Sequence, residues 1–219
     1  MGKEAVPALR GVTLEIEQGD FICLMGPSGS GKTTLLNIIG GLDEPGRGHV
    51  RIGGENLVAL NENQLARLRL RTMGFVFQNY NLLANFTAHE NVEAPMVLLR
   101  TGKRRRRERT RNLLERVGLG DRAHHYPSEL SGGQQQRVAI ARALANEPPI
   151  FIGDEITGDL DSESGFAIMD LLANLNTDGT TIVFVTHDPR MAEFARRVIR
   201  IQDGRISTDQ SAADREQAE

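Results

Sequence analysis

Gly26-Pro27-Ser28-Gly29-Ser30-Gly31-Lys32-Thr33 decides the reading of this chain. The stretch fits G-x-x-x-x-G-K-[ST], the pattern of a loop that wraps a nucleotide triphosphate. Such a loop brings consecutive backbone N–H groups close to phosphate oxygens, and glycines at 26, 29 and 31 leave room for that approach. Upstream, Phe21 to Met25 is wholly apolar, as suits a strand at the centre of a sheet. Downstream, Thr34 to Ile39 continues a helix that Gly40-Gly41 ends, and its N-terminal dipole faces the loop. In this frame Lys32 reaches the β and γ oxygens of ATP, and the hydroxyl of Thr33 ligates Mg²⁺.

Outward from the loop, strands are expected at Val12 to Ile16 by alternation, and at His49 to Ile52, Gly74 to Phe77, Ile150 to Ile152, Thr181 to Val185 and Val198 to Ile201. Helical patterns run from His89 to Arg100, Arg104 to Val117 and Ser131 to Ala145. Strands, a helical block and strands again predict one α/β domain with a helical insertion at about residues 79–146. The domain is expected to span 1–208, with 209–219 a polar, frayed tail.

At 219 residues, with 39% apolar and 25% charged side chains, the chain can bury a substantial core. A net charge of −3 gives no field drawing it to nucleic acid, so no such partner is expected. No apolar run approaches the roughly 20 residues of a membrane span, and no signal segment opens the chain. A cytoplasmic protein is expected, with any membrane part supplied by another chain. The single cysteine, Cys23, reads as a core side chain.

Two further groups carry chemistry. Ile150-Phe151-Ile152-Gly153-Asp154-Glu155 is an apolar strand ending in two carboxylates, which a strand would point to opposite sides. Asp154 is expected to hold the Mg²⁺ shell and Glu155 to polarise the attacking water. His187, just past the strand Thr181 to Val185, can hydrogen-bond a γ-phosphate. His49, His89, His124 and His125 read as surface or loop residues.

Laid in order, these pieces resemble the ATP-binding subunit of an ATP-binding-cassette (ABC) transporter, over nearly the whole chain. Gly26 to Thr34 resembles the Walker A motif and Asp154-Glu155 the end of Walker B. Gln78, closing GFVFQ, resembles the glutamine that touches Mg²⁺ and senses the membrane partner. LSGGQQQR, from Leu130 to Arg137, resembles the family signature; Gly158 to Asp161 resembles the D-loop, and His187 the switch histidine. The resemblance implies a P-loop NTPase core with an antiparallel β subdomain and an inserted helical subdomain. It also implies that Ser131 and Gly133 of a second, head-to-tail copy close over the γ-phosphate, so that two subunits, identical by expectation, clamp each ATP and drive a membrane permease from the inner face. Asp161 joins the nucleotide-binding set on the same basis.

Arg71 to Met96 together with the signature resembles the branch that powers lipoprotein release, macrolide export and related extrusion; cell-division and import ATPases share much of the pattern. A soluble ABC ATPase of DNA repair or translation is the alternative, although only residues 79–129 separate Gln78 from Leu130. The chain departs from the family pattern at Ile156, where proline is usual, and at Asp159, where asparagine is common. The adenine-stacking aromatic belongs upstream of Val6 in this branch, and no aromatic precedes Phe21, so base selectivity is in question. Lys103 to Arg107 reads as the solvated start of a helix, with a lipid-headgroup contact the other reading. Phe86, Val92, Met96 and Leu98 form either a permease groove or insertion core, and Gln78 to Asn91 is the expected contact segment.

Overall fold

The computed structural model describes residues 7–216. Its centre is a sheet of six strands: β1 (Phe21–Met25), β4 (Met73–Val76), β5 (Ile150–Asp154), β6 (Thr181–Val185), β7 (Arg197–Gln202) and β8 (Arg205–Ser211). They lie in the order β4-β5-β6-β1-β7-β8. All neighbours pair in parallel except β7 and β8. Parallel strands covered on both faces need apolar residues at every position, not at alternate ones. That is how β1 is used: Phe21 and Cys23 enter the core on one face, while Ile22 and Leu24 enter the core on the other. Phe151 and Ile152 divide in the same way, as do Phe184 and Val185.

Helix α1 (Lys32–Ile39) follows the glycine loop and packs against β5 and β6. The central helices are α3 (Ala88–Leu98), α4 (Lys103–Arg116) and α5 (Gly132–Ala143). Val92, Leu113, Leu114 and Val138 join the same apolar cluster as Phe21 and Phe184, so the insertion and one face of the sheet share a core. Two helices lie beyond those expected: α2 (Glu62–Thr72) and α6 (Ser162–Thr177). The start of α2 carries a legible signal, since Asn61 and Gln64 cap each other reciprocally. A short α7 (Pro189–Ala192) and α8 (Ala212–Glu216) complete the helices.

Two expectations need correcting. Val12, Leu14 and Ile16 alternate in burial as foreseen and pack on the second core, yet among the described residues they join no ladder. The expected antiparallel element away from the main sheet is, among the described residues, the pair β2 (Arg51–Ile52) and β3 (Glu55–Asn56). Nor does the chain fray at Thr208: β8 continues to Ser211, where it pairs with Arg197. Arg197 anchors that edge, with Nε and Nη2 donating to the Asp209 carboxylate at 2.7 and 2.6 Å. Asp209-Gln210-Ser211 reads as the start of a tail because it ends an edge strand with little to bury.

The basic run opens α4 as expected, with Lys103, Arg104 and Arg107 exposed. Arg106 pairs with Glu93 at 2.9 Å and Arg105 approaches Glu147 at 3.8 Å.

Candidate functional site

Parallel strands β4, β5, β6 and β1 deliver their following residues to one end of the sheet. The register sets Val76 beside Gly153, Asp154 beside Val185, and Leu24 beside Val185. Gln78, Asp154-Glu155, His187 and the loop after Met25 therefore emerge along a single edge, the ordinary place for a ligand in such a sheet.

The loop from Gly26 to Gly31 is held by its own chain. Gly31 caps α1 with φ of 104°, and a Cβ there would lie 2.7 Å from the carbonyl oxygen of Ala8. Only glycine satisfies both demands. Lys32 Nζ donates to the carbonyls of Gly26 and Pro27, each at 2.9 Å, so its ammonium lies back over the loop. Ser30 Oγ is buried without a hydrogen-bond partner, a donor poised inside the cradle. No acidic residue occupies the first turn of α1. Free N–H groups, an ammonium and an orphaned hydroxyl make this loop suited to phosphate oxygens.

Thr33 Oγ1 donates to Asp154 Oδ2 at 2.9 Å, bridging α1 and β5. Among the described residues no group of three His, Cys, Asp or Glu side chains forms a metal nest. A hydroxyl beside one carboxylate, next to phosphate oxygens, instead fits magnesium, which keeps water and substrate oxygens in its shell.

Glu155 is not on the strand. β5 ends at Asp154, and Glu155 takes a left-handed backbone, φ 53°. The two carboxylates therefore diverge because the chain breaks after Asp154, not because a strand alternates. A non-glycine residue in that region is held only by its surroundings. Here the N–H of Glu155 donates to Val185 at 3.1 Å, and its carbonyl accepts from Gln136 Nε2 at 2.9 Å. Its carboxylate Oε2 lies 2.9 Å from His187 Nδ1, with the Glu155 side chain 16% exposed and His187 79% exposed.

Gln78 emerges at the same edge, exposed, and its side chain makes no hydrogen bond among the described residues. Asp161 serves its own helix, where its carboxylate caps α6 by accepting from Ser164 N and Ser164 Oγ at 2.9 Å each. Those bonds hold it below the usual carboxylate range. Ser131 caps α5, accepting from Gln134 N at 3.3 Å, while Gln134 Oε1 accepts from Ser131 N at 2.9 Å. The glycines behind it have a reason inside the chain. A Cβ on Gly133 would approach Asp159 O to 3.1 Å, and one on Gly132 would meet the Tyr80 hydroxyl at 3.0 Å.

Sequence reasoning missed Tyr80, Gln136 and Arg142. The Tyr80 hydroxyl donates to Asp159 Oδ2, and burial with the Asp159 carboxylate pushes its pKa up to about 12. Ile156 is fully buried, and a Cβ on Gly153 would meet its Cγ2. The position where an adenine-stacking ring is expected, upstream of Val6, lies outside the described residues.

A doubly covered parallel sheet with a glycine loop at one end and Thr33 on Asp154 defines a P-loop nucleotide triphosphatase. The ABC transporter family model matches residues 9–158. The chain belongs to that family, as an ATP-binding subunit of a transporter.

It is 51% identical over 205 residues to an ABC transporter ATP-binding protein of Methanocaldococcus jannaschii, covering 94% of this chain and 92% of that one. It is 50% identical over 211 residues to the macrolide export ATP-binding/permease protein MacB of Marinobacter nauticus, covering 96% of this chain and 33% of that longer protein. A dimeric post-hydrolysis structure of the ATP-binding cassette MJ0796, bound to ADP and Pi, superposes with a TM-score of 0.93 at 47% identity, covering 96% of this chain and 93% of that one. These relatives fit the transporter reading and not the soluble repair or translation ATPase weighed beside it. Among the described residues no helix is long and apolar enough to cross a membrane.

Proposed function

We propose that this chain is a Mg²⁺-dependent ATP hydrolase that works as a head-to-tail pair of identical subunits and drives an export permease. The observation that carries the reading is the pairing of Thr33 with Asp154 and of Glu155 with His187, side by side at the tips of β5 and β6.

Residues 26–34 wrap the triphosphate with backbone N–H groups, and Lys32 leaves its two carbonyl partners for the β and γ oxygens. Thr33, Asp154 and Gln78 would hold a magnesium ion, which would supply charge neutralisation at the phosphoryl oxygens. Glu155 polarises the attacking water, and His187 keeps that carboxylate oriented while its ring reaches toward the γ-phosphate. Ser131 and Gly133 of the second copy close the site, with Asp161 beside the seam.

The permease sits against the segment from Gln78 to Asn91. Phe86 and Leu98 are 41% and 70% exposed, whereas Val92 and Met96 are buried, so the two uses proposed for these four residues divide between them. Beside them an open cleft of about 610 Å³, lined by Phe75, Phe77, Pro95, Leu98 and Arg142, is shaped for an apolar permease segment. The subunit is then peripheral at the inner face of the membrane. The kinship with a macrolide export protein favours extrusion of drug, peptide or lipoprotein. The nucleotide-binding domain takes residues 1–208 with the insertion at about 79–146, and β8 carries its edge three residues further.

Glu155→Gln is the test. It keeps the side chain's shape and removes its basicity, so ATP binding persists while phosphate release falls at least about a hundredfold and an ATP-bound dimer accumulates in sedimentation. Turnover at the parent rate would overturn the role given to Glu155.

A further inference from the structure

Four groups from distant parts of the chain join the segment after Gln78 to the backbone of Glu155. The Tyr80 hydroxyl donates to Asp159 Oδ2. The N–H of Asp159 donates to Gln136 Oε1 at 3.4 Å, and Gln136 Nε2 donates to the carbonyl of Glu155 at 2.9 Å. Gln136 is 1% exposed, and its amide accepts from the N–H of Asp159 while donating to the carbonyl of Glu155 at the start of the same turn. Behind Tyr80, the Arg142 guanidinium donates from Nη2 to Tyr80 O at 2.7 Å and from Nη1 to Asn81 O at 2.6 Å. That fork secures two successive residues with left-handed backbones, φ 57° and 50°.

We propose that Tyr80 is a positioning residue that sets the hydrolytic carboxylate of Glu155 through Asp159 and Gln136. The relay makes turnover answer to the conformation of the segment facing the permease. This rests on the role of Glu155 proposed above.

The physical case has three parts. Glu155 occupies a backbone region that surrounding contacts alone maintain, so a small loss of support displaces its side chain. Gln136 is buried, and its amide can swing only if Asp159 or Glu155 releases it. Both ends of the relay border the site, since Tyr80 lies two residues beyond Gln78 and Asp159 lies four beyond Glu155. The Tyr80 ring also covers the first turn of α5, where a Cβ on Gly132 would touch its hydroxyl. A shift of Tyr80 is therefore felt at the helix start bearing Ser131.

The test compares Tyr80→Phe, Asp159→Ala and the double variant in the purified full chain, by steady-state phosphate release against ATP. Each single change removes one hydrogen bond and lowers kcat about three- to tenfold, with KM for ATP unchanged to within about twofold. Because both cut the same link, the double variant is no slower than the slower single variant. Asp159→Asn keeps an acceptor oxygen for the tyrosine and recovers most of the rate lost in Asp159→Ala. A purely structural role would instead lower Tm and yield of active protein without this rescue or this non-additivity. Tyr80→Phe at the parent kcat, or losses that multiply in the double variant, would overturn the relay. A parent chain that releases no phosphate would overturn the reading of Glu155 instead, so the two failures are distinct.

Discussion

The two glycine-rich turns of this protein, Gly26 to Thr33 and Leu130 to Gln134, both precede a helix and both begin it with exposed N–H groups, yet they differ in what they leave unsatisfied. In the first, Ser30 Oγ is buried with no partner, and Lys32 is folded back onto carbonyls of its own loop. In the second, Ser131 and Gln134 cap one another, and the two glycines make room for Tyr80 and Asp159 of the same chain. One turn is incomplete without a ligand, whereas the other is complete as a piece of one subunit. On the reading proposed above, a binding site within one chain shows unmet demand, and a site completed by a second copy does not.

The largest effect should come from the first turn. Lys32→Ala removes the only ammonium in the loop, whose present partners are two carbonyls that do not need it. Loss of a charge-assisted contact to phosphate is expected to weaken ATP binding by about two orders of magnitude or more, measured by titration calorimetry. Retained affinity would mean that the cradle's backbone alone holds the triphosphate, and the contrast between the turns would lose its basis.

The second turn should respond in the opposite pattern. Ser131→Arg is expected to leave ATP binding by the separate subunit within about twofold, because Ser131 bonds only to its own helix. It should abolish the proposed ATP-dependent dimer, as measured by sedimentation, since a long cation would replace a small cap at the face proposed to meet the partner. Were dimerisation to survive while ATP binding fell, Ser131 would belong to its own cradle and the head-to-tail arrangement would be wrong.

The same contrast explains how much can be read from the sequence. Apolar runs such as Phe21 to Met25 and Ile182 to Val185 are short and bounded by turn residues, which favours strands buried on both faces over helices. The contacts of Lys32 with the Gly26 and Pro27 carbonyls lie within one loop, whereas Thr33 meets Asp154 from a distant strand, which no local spacing announces. Glu155 is legible but its geometry is not: nothing in Gly153-Asp154-Glu155-Ile156 announces a left-handed residue, and burial of Ile156 against Gly153 is visible only in three dimensions. The pairing of Asp159 with Tyr80 and with Gln136 escapes because the partners lie 79 and 23 positions apart. Pairing at that distance leaves no periodic trace. The last three residues of β8, Asp209 to Ser211, pass for a tail because an exposed edge carries polar residues whether or not it is paired.

The smallest effect is the most discriminating test of what the second turn's glycines are for. Gly133→Ala places a Cβ about 3.1 Å from Asp159 O and 3.3 Å from the Leu160 side chain, tight but not prohibitive. Alanine also favours a helix over glycine by about 1 kcal/mol. The strain and the propensity nearly cancel, so Tm should move by only a few degrees in either direction. If the glycine serves only this internal packing, ATP turnover should follow stability and change little. If a phosphate of the facing subunit must approach the N–H of residue 133, the same methyl group blocks it, and turnover should fall tenfold or more while Tm scarcely moves. Thermal melting and phosphate release measured on one preparation separate these outcomes, because packing within a chain is felt by both and a contact between chains is felt by turnover alone.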